Sequence, residues 1–282
     1  MNWKNILLHS DIYFAIVAIG TGLAAYAIYG LPLSDPIPLF IISALALNVC
    51  STNRQIDEDT DDVNVPERTL FLREHGTKIF YLSVAVLALA LLLAFARSPW
   101  AGTAALLTFI AGHFYSHPFP RVGRLREFFV IKNMTVGLMW ALMALVTPLY
   151  FGMADPLVLA PLFLLFFMRM TFQTGLIDLR DVEGDAKAGV KTVPILLGKE
   201  KTLSLAHALN VVPLAIFFVL ASFFAVDPAY LILCALMAAN GIVYILGITF
   251  EFETELMFAM VIDSETLLPS LVLLVAKGLG LF

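Results

Sequence analysis

Charged residues are scarce in this sequence: they make up 14% of its 282 residues, whereas 60% are hydrophobic. Soluble domains carry about 25% charged residues, so this composition excludes an ordinary soluble globular fold. The mean hydropathy of +0.90 points in the same direction. We therefore predict an integral membrane protein.

Cysteine is scarce as well. Cys50 and Cys234 both lie in or beside apolar stretches and lack metal-ligand spacing, so neither a disulfide framework nor a cysteine-based metal site is indicated. The N-terminal segment has no small-residue cleavage pattern, and we interpret it as a retained first helix rather than a signal peptide. The links between apolar stretches are short, which predicts a single domain over residues 1–282.

About nine apolar stretches approach the roughly 20 residues that a helix needs to cross a bilayer. The predicted helices are 12–31, 36–52, 77–97, 100–117, 128–150, 156–177, 203–225, 228–249 and 256–279. With the N-terminus inside, the cytoplasmic segments would hold all 17 lysines and arginines except Arg97, Arg169 and Lys277. The positive-inside rule favours this orientation. We predict an all-α polytopic bundle whose longer polar loops face the cytoplasm.

The first cluster of acidic residues lies between Asn53 and Arg68. Asn53, Asp57 and Asp61 are four residues apart. On a helix this spacing places their side chains on one face, about one turn apart. Oxygen ligands in such a row, here called the first ladder, suit a hard divalent cation that also binds phosphate. A solvated loop that caps a helix accounts equally well for the spacing alone.

A second acidic cluster lies more than a hundred residues later. Asp181 and Asp185 are again four residues apart, and Asp178 precedes them by about one turn. We call these three residues the second ladder. The alternative interpretation is a helix end solvated by mixed charges.

Three segments resemble the UbiA-type intramembrane prenyltransferases. The string N-x-x-x-D-x-x-x-D-x-V-N-x-P-x-R, from Asn53, resembles the family's first aspartate motif, and D-L-R-D-V-E-G-D-A-K-A-G-V-K-T-V-P, from Asp178, resembles its second. The segment from Tyr115 to Arg121 resembles Y-S-x-P-x-x-R between helices 4 and 5. There are two departures. The family motif usually begins Asn-Asp or Asn-Gln, whereas this chain begins it with Asn53 followed by Arg54. A lysine is frequent in the family at the position of Gly123.

The resemblance implies a bundle around a central cavity and Mg²⁺-dependent transfer of an isoprenyl group. The donor would be an allylic isoprenyl diphosphate, and the acceptor a lipophilic aromatic or lipid molecule. The implied metal ligands are Asn53, Asp57, Asp61, Asp178, Asp181 and Asp185, of which Asp57, Asp61, Asp181 and Asp185 are the catalytic set. The implied diphosphate ligands are Arg68, Arg121, Arg124 and Lys132.

Two further residues are predicted to line the substrate pocket, Tyr115 and Arg169. Tyr115 belongs to the third matching segment. Arg169 lies within predicted helix 6, and a charge at that depth must face a partner or a polar cavity. Asp263 and Glu265 are placed early in the last predicted helix, where we expect a pocket-lining or interfacial role.

Two other functions remain open at this stage. A UbiA-type intramembrane terpene cyclase would use the same site but quench the cation internally. A membrane transporter would bind a cation or substrate, although transporters usually place ionisable residues near the bilayer midplane rather than at helix ends. The compact, loop-poor chain favours a prokaryotic cell (inner) membrane with the site on the cytoplasmic side. We expect the lipid bilayer and no nucleic acid among its partners.

Overall fold

The structure, a computed structural model, describes residues 11–56, 66–118, 120–121, 123–179, 181–187, 189–224, 226–250 and 263–281, apart from the side chains of residues 66–68 and 263. Within these ranges the chain is helical. The helices are α1 (Ile12–Tyr29), α2 (Ile37–Ile56), α3 (Pro66–Arg97), α4 (Pro99–Ser116), α5 (Ile131–Tyr150), α6 (Pro156–Ile177), α7 (Val182–Lys187), α8 (Val193–Leu197), α9 (Lys199–Phe223), α10 (Pro228–Thr249) and α11 (Leu267–Gly278). Two 3₁₀ turns, Leu125–Glu127 and Asp263–Glu265, complete the described elements.

Seven of the described helices are long and apolar enough to cross a membrane. They are α1, α2, the Thr69–Arg97 part of α3, α5, α6, α9 and α10. Helix α4 has 18 residues but falls outside this set, and α11 has 12. The predicted all-α membrane protein is therefore confirmed, whereas the count of nine spanning helices is not confirmed over the described residues. Glu265 lies in a 3₁₀ turn before α11 rather than within the last helix.

Several helices begin where the sequence supplies a cap followed by proline. Asp155 accepts a hydrogen bond from the Leu157 backbone N–H at 2.9 Å, and Asp227 accepts one from Ala229 at 2.8 Å. Each cap satisfies a backbone donor that has no partner within the helix, and proline at the first helical position has no such donor. These signals explain why α6 and α10 begin where the sequence predicts.

Helices α1 and α5 are the most buried of the membrane-spanning helices. In both, 61% of the apolar membrane-spanning stretch is buried inside the bundle, whereas the share is 22% in α3 and α9. Large apolar side chains on these two outer helices, such as Leu92 and Phe218, are exposed, which suits contact with lipid. Long helices that follow one another along the chain pack against each other, α6 packs on α9, and α11 returns to α1. There the Thr266 hydroxyl donates to the Val17 carbonyl at 2.8 Å.

The antiparallel pair α5 and α6 fixes the geometry of the polar end, which we define as the end of the bundle where α2, α4 and α6 end and α5 begins. Gly137 lets the two helices approach closely, because a Cβ there would lie 2.6 Å from the Phe167 carbonyl oxygen. The close crossing aligns the first turn of α5 with the last turn of α6. Residues 132 and 133 therefore lie beside residues 174 and 178.

Candidate active site

Lys132, in the first turn of α5, lies between two aspartates of the second ladder. Its Nζ is 2.8 Å from Asp178 Oδ1 and 3.0 Å from Asp185 Oδ2. The three side chains are almost fully buried, with 11%, 4% and 2% of their surface exposed. Asn133 adds a hydrogen bond from Nδ2 to Asp178 Oδ2 at 3.3 Å. The bridge therefore joins α5 to both α6 and α7.

The second ladder is built across a break between two helices. Helix α6 ends at Ile177, and Asp178 is its C-cap residue. Asp185 lies in the short helix α7, and its backbone N–H donates to the Asp181 carbonyl at 2.9 Å. Asp181 and Asp185 are thus one turn apart as predicted. Asp178 belongs to the preceding helix end instead of extending the same helical row.

The Asp178 carboxyl is under two opposing influences. Burial raises its pKa above the usual value, because the charged form loses its hydration. The Lys132 ammonium and the Asn133 amide favour the charged form and act against this rise. The bridging lysine is therefore what compensates for burying this carboxylate.

Arg126 is a cation at the second ladder that the sequence did not single out. It lies in the 3₁₀ turn Leu125–Glu127 and is 7% exposed. Burial lowers its pKa, while the negative charges of Asp185 and Asp181 act most strongly in the opposite direction. Arg126 is therefore a buried cation within electrostatic range of the second ladder. No local signal separates it from the two other arginines of its segment.

The two neighbouring arginines lie further out. Arg124 is partly exposed, and its Nε is 2.7 Å from Glu127 Oε1. This ion pair holds the pKa of Glu127 below its usual range. Arg121 is exposed, and its backbone has a positive φ of 70°. Both are more exposed to solvent than Arg126. Their predicted contact with diphosphate stays a prediction.

Gly123 occupies the place where the resembled family often has lysine. Its φ is +96°, in the left-handed region that favours glycine. A Cβ at this position would lie 2.6 Å from Glu127 Oε2. The local backbone therefore disfavours any side chain here, and the positive charge comes from elsewhere in the segment.

The first ladder is described only at its first residue. Asn53 lies in the last turn of α2, and its Oδ1 accepts a hydrogen bond from the Ser116 hydroxyl at 3.1 Å. The next residue back, Tyr115, lies within electrostatic range of Lys132 and the second ladder. The end of α4 thus contacts Asn53 through Ser116 and lies near the charges of the second ladder at Tyr115. Asp57, Asp61 and the Arg68 side chain lie outside the described residues.

Arg54, the departure from the resembled motif, is bound to Asp11. Its Nε is 2.7 Å from Asp11 Oδ1, and its guanidinium lies 5.4 Å from the centre of the Phe14 ring. The Ser51 hydroxyl donates to the other Asp11 oxygen at 3.3 Å. The Arg54 charge is therefore compensated by an aspartate at the start of α1.

Arg169 faces a partner, as its depth in the helix predicts. Its Nε forms an ion pair with Glu265. Its Nη1 donates to the Asn210 carbonyl at 2.9 Å and to Asn210 Oδ1 at 2.5 Å, and its Nη2 donates to the Met237 carbonyl at 2.6 Å. These contacts tie α6 to α9, α10 and the second 3₁₀ turn. Arg169 also borders a small cavity with Gln173, and its role in a substrate pocket stays a prediction.

The donor chemistry of the polar end suits Mg²⁺, which prefers carboxylate and amide oxygens. Over the described ranges, no group of three His, Cys, Asp or Glu residues is placed to hold a metal ion. Asp178 and Asp185 direct oxygens to Lys132 instead. Metal ligation by the first ladder therefore depends on residues beyond Asn53 that the structure leaves undescribed.

Comparison with known proteins gives consistent matches. Residues 13–253 match the model of the UbiA prenyltransferase family. The chain is 30% identical over 207 residues to the digeranylgeranylglyceryl phosphate synthase of Pyrococcus abyssi, covering 72% of this chain and 71% of that protein. The corresponding synthase of Methanosarcina mazei is 28% identical over 155 residues, which are 55% of this chain. The matched segment spans about half, 52%, of the Methanosarcina protein.

Solved structures share the fold. A UbiA homolog from Archaeoglobus fulgidus bound to GPP and Mg²⁺ superimposes with a TM-score of 0.67 at 19% identity, over 96% of this chain and 99% of that one. A UbiA homolog from Aeropyrum pernix superimposes with a TM-score of 0.65 at 14% identity, over 97% and 98% of the two chains.

Proposed function

The chain belongs to the UbiA prenyltransferase family, and from this premise we propose that it transfers an isoprenyl group from an allylic isoprenyl diphosphate to a lipophilic acceptor inside the membrane. The observation that carries the proposal is the buried cluster of Lys132, Asp178 and Asp185 at the polar end of an apolar bundle. A buried set of cations and carboxylates beside apolar helices suits a substrate with a charged head and a long apolar tail.

The reaction breaks the bond between the allylic carbon and the diphosphate oxygen, and the bonding electrons leave on the diphosphate. The acceptor then bonds to the allylic carbon and releases a proton. Lys132 and Arg126 are buried cations at the polar end, so we assign them to stabilising the negative charge that develops on the leaving group. The apolar helices around the cleavage site exclude water, which would otherwise trap the allylic carbon.

Mg²⁺ would supply further positive charge at the diphosphate when bound. Asn53, Asp57 and Asp61 would hold it, with Asp181 contributing from the second ladder, because their oxygens are the ligands that this ion prefers. Asn53 is supported in place by Ser116, and Tyr115 beside it would border the diphosphate end of the pocket. The isoprenoid chain would extend from there along the apolar interior.

For the acceptor, we propose a lipid of the glyceryl phosphate class. The support is the shared name of the two relatives described above, digeranylgeranylglyceryl phosphate synthase, which implies a geranylgeranyl donor and a glyceryl phosphate acceptor. We also propose that the polar end faces the cytoplasm of a prokaryotic cell membrane, since most lysines and arginines lie in the segments at that end. A terpene cyclase would need no acceptor, and a transporter would release no diphosphate.

The proposal is tested by measuring diphosphate release from geranylgeranyl diphosphate by the purified protein, with and without Mg²⁺ and with and without geranylgeranylglyceryl phosphate. We expect release that requires Mg²⁺ and increases with acceptor. Release without acceptor, yielding only a hydrocarbon or alcohol, would favour the cyclase. The absence of release with this and with shorter and longer donors would overturn the proposal.

A further inference from the structure

The second ladder holds an ammonium group at the place between two carboxylates where a divalent ion would bind. Lys132 Nζ lies 2.8 Å from Asp178 and 3.0 Å from Asp185. These two aspartates come from different elements, α6 and α7, and Lys132 comes from a third, α5. Accordingly, we propose that Lys132 is a built-in cation that replaces a metal ion between Asp178 and Asp185, so this pair binds no divalent ion while Lys132 is present.

The chemistry of the ammonium group supports this replacement. It has three N–H donors, and its contacts with the aspartates use two of them. Within the described part of the chain, the contacts with the two aspartates leave the third N–H to donate to a diphosphate oxygen. Lys132 could therefore connect the two carboxylates to the leaving group as a bridging cation does. This role rests on the proposed prenyl transfer, whereas the displacement of metal does not.

The charges around the site also support the replacement of a metal ion by Lys132. Asp178, Asp181 and Asp185 carry three negative charges, and Lys132 and the nearby Arg126 carry two positive ones. A divalent ion would bring the same two positive charges to these carboxylates. Because Lys132 and Arg126 already neutralise two of the three negative charges, a divalent ion would gain much less electrostatic stabilisation and would have to displace Lys132 from both aspartates.

The test counts Mn²⁺ ions, a paramagnetic substitute for Mg²⁺, bound per chain in the absence of any prenyl donor, by electron paramagnetic resonance of the free ion. We expect Lys132→Gln to bind one more ion than the wild-type chain, and the added substitution Asp185→Asn to remove that ion. Lys187→Gln is the matched control. Lys187 is an exposed lysine of α7 that pairs with Glu183 at 2.9 Å, so its loss should leave the count unchanged.

A second variant keeps the proposal testable if Lys132→Gln does not fold. Asp185→Asn in the otherwise wild-type chain should not change the number of bound ions, because Lys132 already occupies that carboxylate. Loss of an ion in Asp185→Asn, or an equal count in the wild-type chain and a folded Lys132→Gln variant, would overturn the proposal. Since the measurement needs no donor, it gives an answer even if the chain transfers no prenyl group.

Discussion

Arg54 Nε lies 2.7 Å from Asp11 Oδ1, in an ion pair that joins the end of α2 to the start of α1. Both residues are buried, with 8% and 1% of their surface exposed. Arg54 follows Asn53, the first residue of the first ladder, and stands where the family usually has aspartate or glutamine. The pair shows how the bundle accommodates a cation at this point, because Asp11 supplies the compensating charge within the fold.

Breaking this pair on one side should destabilise the protein. We expect Asp11→Asn to reduce the free energy of unfolding by about 3–5 kcal/mol, because it leaves a buried guanidinium without its carboxylate. The double variant Asp11→Asn with Arg54→Gln should lose less than the sum of the two single changes. Thermal unfolding in detergent, measured for the wild-type chain, both single variants and the double variant, gives the coupling free energy between the two residues. Strictly additive losses would contradict a direct coupling between the two residues.

Carboxylates of both ladders should be required for turnover. We expect Asp57→Ala and Asp181→Ala each to abolish Mg²⁺-dependent diphosphate release while the protein stays folded, because each removes a proposed metal ligand. Asp155→Asn is the matched control. Asp155 caps α6 at the opposite end of the bundle, and asparagine preserves the cap. Unchanged activity in either ladder variant would refute the proposed metal ligation.

Two arginines that lie two residues apart should differ in importance. We expect Arg126→Gln to lower kcat by roughly 100-fold, the scale observed when a buried group that stabilises transition-state charge is removed. Arg124→Gln should have a much smaller effect, since Arg124 is partly exposed and paired with Glu127. Steady-state kinetics with the allylic donor distinguish the two. Equal losses of kcat in the two variants would show that burial beside the second ladder does not determine which arginine stabilises the leaving group.

The Arg169 network should depend on a glycine. A Cβ at Gly241 would lie 2.2 Å from Asn210 Oδ1 and 2.6 Å from Arg169 Nη2. We therefore expect Gly241→Ala to destabilise the protein by about 1–3 kcal/mol, the usual cost of forcing extra volume into a packed site. Gly278→Ala, where a Cβ meets open space, serves as the control. If both variants unfold at the wild-type temperature, the network does not require close packing at Gly241.

The fold was largely predictable because the length of an apolar stretch and a cap followed by proline both depend on residues that are close in sequence. The predicted helix over 156–177 agrees with Pro156–Ile177, and that over 228–249 agrees with Pro228–Thr249. The number of spanning helices was less predictable, since α11 has 12 described residues and Glu265 belongs to a separate turn.

The site residues that belong to sequence motifs were predictable. Contacts between residues that are distant in sequence were not. Lys132 and the second ladder were identified from sequence, but the bridge between them requires α5 to cross α6 closely. Arg126 was missed because residues in a short turn point in directions that sequence spacing does not determine. Glu265 was not identified as the partner of Arg169, because the two residues are 96 positions apart.

Mass spectrometry of the lipid product tests the central claim most directly. The purified protein is incubated with geranylgeranyl diphosphate, geranylgeranylglyceryl phosphate and Mg²⁺, and the extracted lipids are compared with those from the Asp181→Ala variant. Prenyl transfer predicts a new lipid heavier than the acceptor by one geranylgeranyl group, formed by the wild-type chain and absent from the variant. Consumption of the donor with the acceptor mass unchanged would contradict it.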